Sequence, residues 1–118
     1  MARILVADDS ASIRKFLTEL LEPDHEVILG CDGLDAVWRF REERPDAVLL
    51  DVNMPIMTGL EALEKIKLID PNARGAMLTG ERDQEVVMTA MSVGAVDFVG
   101  KPCTRDRVSA ALGSLLRD

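Results

Sequence analysis

Aromatic side chains are scarce: one Trp, three Phe and no Tyr in 118 residues. A flavin carrier stacks its ring on aromatic surfaces, so this scarcity argues against one. Cysteine is rarer still. Cys31 and Cys103 form no metal-ligand spacing and no disulfide framework, and fit free thiols in a reducing cytoplasm. No apolar run approaches the about 20 residues that span a bilayer. The first run meets Asp8 and Asp9 too early to be the core of a signal peptide. Basic residues are in deficit, 14 Lys and Arg against 21 Asp and Glu, for a formal net charge of −7. That balance disfavours a direct nucleic-acid binder and an anionic membrane surface. Linkers, repeats and low-complexity tracts are also missing. What is left, 47% hydrophobic and 30% charged, is an ordinary globular composition. The length suits one domain over residues 1–118, expected in the cytoplasm.

Short apolar runs alternate with amphipathic segments. The runs are Ile4–Ala7, Val27–Leu29, Ala47–Leu50, Ala76–Leu78 and Val96–Val99. Four of the five are solidly apolar, as in strands covered by helices on both faces. Ile13, Phe16, Leu17, Leu20 and Leu21 define one helical face, with Asp9 or Ser10 as its cap and Pro23 as its stop. A second helix follows Gly33, with Leu34, Ala36, Val37, Trp38 and Phe40 apolar over a wide arc and Pro45 limiting its end. Leu60, Leu63 and Ile66 mark a third, and Val86, Val87, Ala90 and Met91 a fourth that Gly94 ends. Val108, Leu112, Leu115 and Leu116 mark a fifth. Five βα units predict an α/β fold: a doubly wound, five-stranded parallel sheet with five helices, flavodoxin-like, in strand order 2-1-3-4-5. Its ligand crevice lies beyond the carboxyl ends of the strands.

Strand 1 ends in Asp8-Asp9, strand 3 in Asp51, strand 4 in Thr79 and strand 5 in Lys101-Pro102. In the predicted order these four strands are neighbours, so three carboxylates, a hydroxyl and an ammonium converge at one rim. Each has a plain reading alone. Asp8, Asp9 and Ser10 suit a helix cap, Asp51 a turn, and Thr79 and Lys101 a solvated loop. Their conjunction is the signal. Clustered carboxylates repel and raise one another's pKa unless a cation joins them. Hard oxygen ligands suit Mg²⁺, which keeps waters and accepts phosphate oxygens, and a lysine binds phosphate as a point charge. Three carboxylates and one lysine sum to −2, which one Mg²⁺ neutralises. Positioning and charge stabilisation are what phosphoryl transfer chiefly requires.

Asp8-Asp9, the run from Leu49-Leu50-Asp51 through Asn53-Met54-Pro55 to Gly59-Leu60, Thr79-Gly80, Gly94-Ala95 and Lys101-Pro102 stand in that order. With them the chain, from Arg3 to about Leu116, resembles a response-regulator receiver domain, the phosphoacceptor of two-component signalling. The resemblance implies that Asp51 takes a phosphoryl group from a phosphohistidine of a sensor histidine kinase or phosphotransfer protein. It implies Mg²⁺ on Asp9 and Asp51, with Asp8 acting through a water and the backbone carbonyl of Asn53 as a further ligand. Lys101 contacts the phosphoryl group, and Thr79 hydrogen-bonds it after transfer. Phe98 holds the aromatic switch position, and the Lys101–Pro102 bond is expected to be cis. The small Gly80 leaves room for a phosphodonor. The moving surface is helix 4, strand 5 and helix 5, which acts on a downstream protein target or a fused output domain. Asn53 and Glu81 are expected to tune the lifetime of the phosphate.

Some positions depart from the family's commoner pattern. Phe98 lacks a Tyr hydroxyl, and Cys103 stands where a bulky aromatic is frequent. The fifth helix lacks the charge pattern of the symmetric dimers formed by regulators with a winged-helix output. Leu34 and Trp38 share a face that reads as peripheral packing or as a partner patch. The methionines Met54, Met57, Met77, Met88 and Met91 read as core or loop filler, and His25 as structural. The rivals are a Mg²⁺-dependent phosphatase using an aspartyl phosphate and a receiver fold that only binds partners. The phosphatase pattern opens with Asp-x-Asp after strand 1 and needs a cap domain, whereas this strand ends Asp8-Asp9-Ser10-Ala11. The complete set of five site residues speaks against the binding module. The chain is thus expected to be a signalling domain, catalysing only its own phosphorylation and slow dephosphorylation.

Overall fold

The computed structural model describes residues 2–80 and 84–117. The elements alternate strictly: β1 (Arg3–Ala7), α1 (Ala11–Leu21), β2 (Glu26–Gly30), α2 (Gly33–Glu43), β3 (Ala47–Asp51), α3 (Gly59–Ile69), β4 (Gly75–Thr79), α4 (Gln84–Val93), β5 (Asp97–Gly100) and α5 (Arg105–Leu115). All strand pairs are parallel, in the order β2-β1-β3-β4-β5. The predicted fold is therefore the observed one. Strand edges move by a residue or so; β5 begins at Asp97 rather than Val96.

The solidly apolar strands follow from two cores, one on each sheet face. Leu5, Val48, Leu50 and Met77 point to the side of Ala36, Phe40, Leu63 and Ile66, from α2 and α3. Their neighbours Ile4, Val6, Leu49 and Leu78 point to the side of Leu17, Leu21, Val108 and Leu115, from α1 and α5. Alternation along β1, β3 and β4 thus divides their buried apolar residues between the two cores. The edge strand β2 is less enclosed, and Leu29 is exposed there.

Local chemistry sets the helix ends. Ser10 rather than Asp9 caps α1, its side chain accepting from the Ile13 amide at 3.4 Å. Asp9 is thereby left for other work. Thr58 and Glu61 form a reciprocal capping box on α3. Gly94, at φ 113°, takes the left-handed conformation that ends α4. Gly59 opens α3 against the end of β3, where a Cβ would lie 1.9 Å from the Asp51 carbonyl oxygen.

Periodicity over-assigned two side chains to the core. Phe16 is 40% and Met91 52% exposed. At about 100° per residue, each sits a quarter turn from its helix's buried centre, Leu17 and Ala90 respectively. Met88 lies on the far side of α4 and is also exposed, so neither it nor Met91 is core filler. Met54 and Met77 are buried, and Met57 packs at the margin of the core.

Candidate functional site

The sheet order brings the ends of β1, β3, β4 and β5 together, and their side chains meet. Asp8 follows β1 and is fully buried, while Asp51 and Thr79, the last residues of β3 and β4, are 4% exposed. Lys101 follows β5. Its Nζ lies 2.8 Å from Asp8 Oδ2 and 3.2 Å from Asp51 Oδ1. Its amide donates to the Thr79 carbonyl oxygen at 2.8 Å, tying the lysine loop to the end of β4. The Lys101–Pro102 bond is cis, as expected.

Asp9 is exposed beside this buried pair, and one carboxylate oxygen from each of Asp8, Asp9 and Asp51 lies within 4.8 Å of the others. Asn53, two residues beyond Asp51, donates its amide to Asp51 Oδ1 at 3.3 Å. All of Asp8, Asp9, Asp51, Asn53, Thr79 and Lys101 therefore gather at one rim. Glu81 lies outside the described residues.

The electrostatics follow from burial. Burial first, and then the negative charge of Asp8, push the Asp51 carboxyl up to about 6; the Lys101 ammonium and the Asn53 amide oppose the rise. Burial pulls the Lys101 ammonium down, but its bond to Asp8 and the charges of Asp51 and Asp8 together hold it above its ordinary value. Burial also raises the Cys103 thiol; the Lys101 ammonium opposes the rise, and the charges of Asp8 and Asp51 add to it. That thiol is a packed neutral group rather than a nucleophile.

The donor set fits a hard divalent cation. Three carboxylates face one ammonium, and the exposed Asp9 leaves one side open to water, which Mg²⁺ retains. The same set does not suit a soft metal, since neither Cys31 nor Cys103 belongs to the cluster.

Phe98 is 39% exposed on β5. Between it, Thr79 and Lys101 opens a surface cavity of about 790 Å³, further lined by Val87, Thr104 and Arg107. Arg107 Nη2 donates to the Phe98 carbonyl oxygen at 2.6 Å and to Asp97 Oδ1 at 2.7 Å. These contacts tie α5 to the strand that carries Phe98. Leu34 and Trp38 stand apart from the rim on α2, more than half exposed, with the Arg39 guanidinium 5.6 Å from the Trp38 ring centre. His25 lies at the amino end of β2, away from the site, where its Nδ1 accepts from the Ala2 amide at 3.1 Å.

Sequence reading passed over Arg14. Its Nη1 donates to the Asp8 carbonyl oxygen at 2.6 Å. An arginine one turn into a helix reads as solvated, and no motif marks it. Arg107 escaped notice for the same reason.

Comparison with known proteins agrees with this architecture. The model of the response regulator receiver domain matches residues 4–113. The chemotaxis protein CheY of Listeria monocytogenes is 40% identical over 114 residues, 95% of this chain and 96% of that protein. A protein-glutamate methylesterase/protein-glutamine glutaminase of Syntrophomonas wolfei is 44% identical over 108 residues, covering 86% of this chain but 30% of that protein. Among solved structures, a chain of the CheX–CheY–BeF3–Mg²⁺ complex from Borrelia burgdorferi matches with a TM-score of 0.93 at 30% identity, over 98% of this chain and 90% of that one. The similarity runs from β1 into α5 without a break, and the chain belongs to the response regulator receiver domain family, with CheY-type relatives.

Proposed function

We propose that this domain is a phospho-switch in which Asp51 accepts a phosphoryl group from the phosphohistidine of a sensor kinase or phosphotransfer protein. The observation that carries the reading is the placement of Asp51: buried at the end of a central strand, 3.2 Å from Lys101 and clustered with Asp8 and Asp9. A carboxyl titrating near 6 is ionised at neutral pH and serves as a nucleophile. An Asp51 oxygen forms a bond to phosphorus, and the phosphorus–nitrogen bond to histidine breaks. Its electron pair returns to the imidazole nitrogen, which takes up a proton.

Asp8, Asp9, Asp51 and the Asn53 carbonyl would hold Mg²⁺, which when bound supplies positive charge against the phosphoryl oxygens. Lys101 neutralises an oxygen on the other side. Thr79 offers a hydroxyl to the new phosphate. Gly80 supports access, because a Cβ there would meet open space.

Phosphorylation adds about one negative charge and new acceptor oxygens to the rim. Thr79 moving toward them opens room for Phe98 to turn into the adjoining cavity, repacking the surface of α4, β5 and α5. We infer that this surface acts on a downstream protein or a fused output domain, and that residues 1–118 form one such unit on the cytoplasmic side. Two observations on relatives support a protein output: the CheX complex, and the methylesterase of which this chain spans only a part. On this reading the domain turns over only its own phosphate.

Incubation with Mg²⁺ and acetyl phosphate, followed by intact mass measurement, tests the proposal. One hydroxylamine-labile phosphoryl group is expected on the wild type and none on Asp51→Asn. No gain on the wild type, or an undiminished gain on the variant, refutes it.

A further inference from the structure

The loop that carries two of the three carboxylates is held by three hydrogen bonds at Asp8. The Asp8 amide donates to the Gly30 carbonyl oxygen at 3.1 Å, extending the β1–β2 ladder by one step. Asp8 Oδ1 accepts from the Ser10 amide at 2.9 Å, and Ser10 caps α1. β1 ends at Ala7, and the Asp8 carbonyl oxygen receives the half-buried Arg14 guanidinium, with Nη1 at 2.6 Å. A charged donor makes this one of the stronger bonds in the loop.

That carbonyl belongs to the planar peptide whose other side is the Asp9 amide. Fixing its direction fixes where the Asp9 backbone starts. Asp9 itself is exposed, and its carboxylate has no hydrogen bond or ion pair among the described residues. Its aim toward Asp8 and Asp51 therefore depends on the backbone beneath it.

We propose that Arg14 is a positioning residue for the acidic site, holding the Asp8–Asp9 peptide so that Asp9 presents its carboxylate to a divalent cation. This rests on the phosphoacceptor reading above. Two effects of Arg14 on a cation have opposite sign. As a nearby positive charge it repels the ion, so its removal tightens binding. As a support for a ligand it aids binding, so its removal weakens it.

Calorimetric titration with Mg²⁺ of the wild type, Arg14→Ala and Arg14→Lys separates them. Loss of the support is expected to weaken Mg²⁺ binding about tenfold in Arg14→Ala, the low end for removing a ligand-orienting partner. Arg14→Lys, which keeps a cationic donor, is expected to recover part of the loss. The metal-free thermal midpoint should stay close to that of the wild type. Unchanged or tighter binding in Arg14→Ala overturns the proposal. Weakening matched by a large fall in the metal-free midpoint of both variants marks a merely structural role and also overturns it. A wild type that binds no Mg²⁺, or an Asp51→Ala variant that binds it as tightly, instead refutes the phosphoacceptor reading on which the proposal stands.

Discussion

Asp51 shows how much one residue's environment controls. The unfolded carboxyl titrates near its ordinary value, whereas the folded one is pushed up to about 6, by burial first and then by Asp8. A folded acid with a raised pKa binds protons more tightly than the unfolded chain, so its ionisation costs stability as pH rises through that interval. Replacing Asp51 by Asn removes the cost. Asp51→Asn is expected to stabilise the metal-free protein at pH 7 by on the order of 1 kcal/mol, allowing for solvent at the rim, which is a few degrees in Tm. The gain should shrink between pH 6 and about pH 4, where the wild-type carboxyl takes up its proton. Thermal melts in EDTA across that range measure it, and a gain independent of pH would refute the mechanism. The carboxylates and the lysine were legible in the sequence because residues at or just past a strand's carboxyl end have a known place once strand order is known. Arg14 was not, because its partner is a backbone carbonyl, and a carbonyl carries no sequence label.

At the scale of elements, pattern determined type better than exposure. All five helices were marked by their apolar spacing, the start of α1 by Ser10 and the end of α4 by Gly94, whereas the caps Asp32, Thr58 and Thr104 emerged only with the structure. Yet spacing cannot tell how wide a stripe the sheet will cover. Phe16 and Leu17 are chain neighbours on α1, the larger one 40% exposed and the smaller one fully buried between α1, the sheet and α5. Leu17→Ala leaves a cavity and is expected to cost about 2–4 kcal/mol, whereas Phe16→Ala should cost less than about 1 kcal/mol. Urea denaturation of the two variants decides the matter, and equal losses would mean that α1 packs through a different face. Met88 and Met91 follow the same logic on α4. Their exposure places flexible apolar side chains on a helix of the surface proposed to switch, where repacking demands little of the core.

At the scale of the whole molecule, the two cores hold a rim that electrostatics alone would push apart. Ile4, Leu49 and Leu78 below the sheet, and Leu5, Leu50 and Met77 above it, fix the strands in register. That register in turn forces Asp8 and Asp51 into proximity, with Lys101 supplying an ammonium that bridges them. Fold stability and site charge are therefore opposed, and a bound divalent cation should relieve the conflict. Because the unfolded chain scatters these acids, Mg²⁺ binds the native state preferentially and adds stability by mass action. At a hundredfold excess over Kd the gain is about 2.7 kcal/mol, or about 10 °C in Tm for a domain of this size. Added NaCl at the same ionic strength screens the repulsion but supplies no ligand geometry, so it should raise Tm far less. Asp9→Ala should lose most of the Mg²⁺ effect while keeping the NaCl effect. Equal shifts with the two salts would reduce the cluster to a patch of screened charge. A Mg²⁺-specific shift that vanishes with Asp9 would tie the molecule's stability to the same cation that its phosphoryl chemistry is proposed to use.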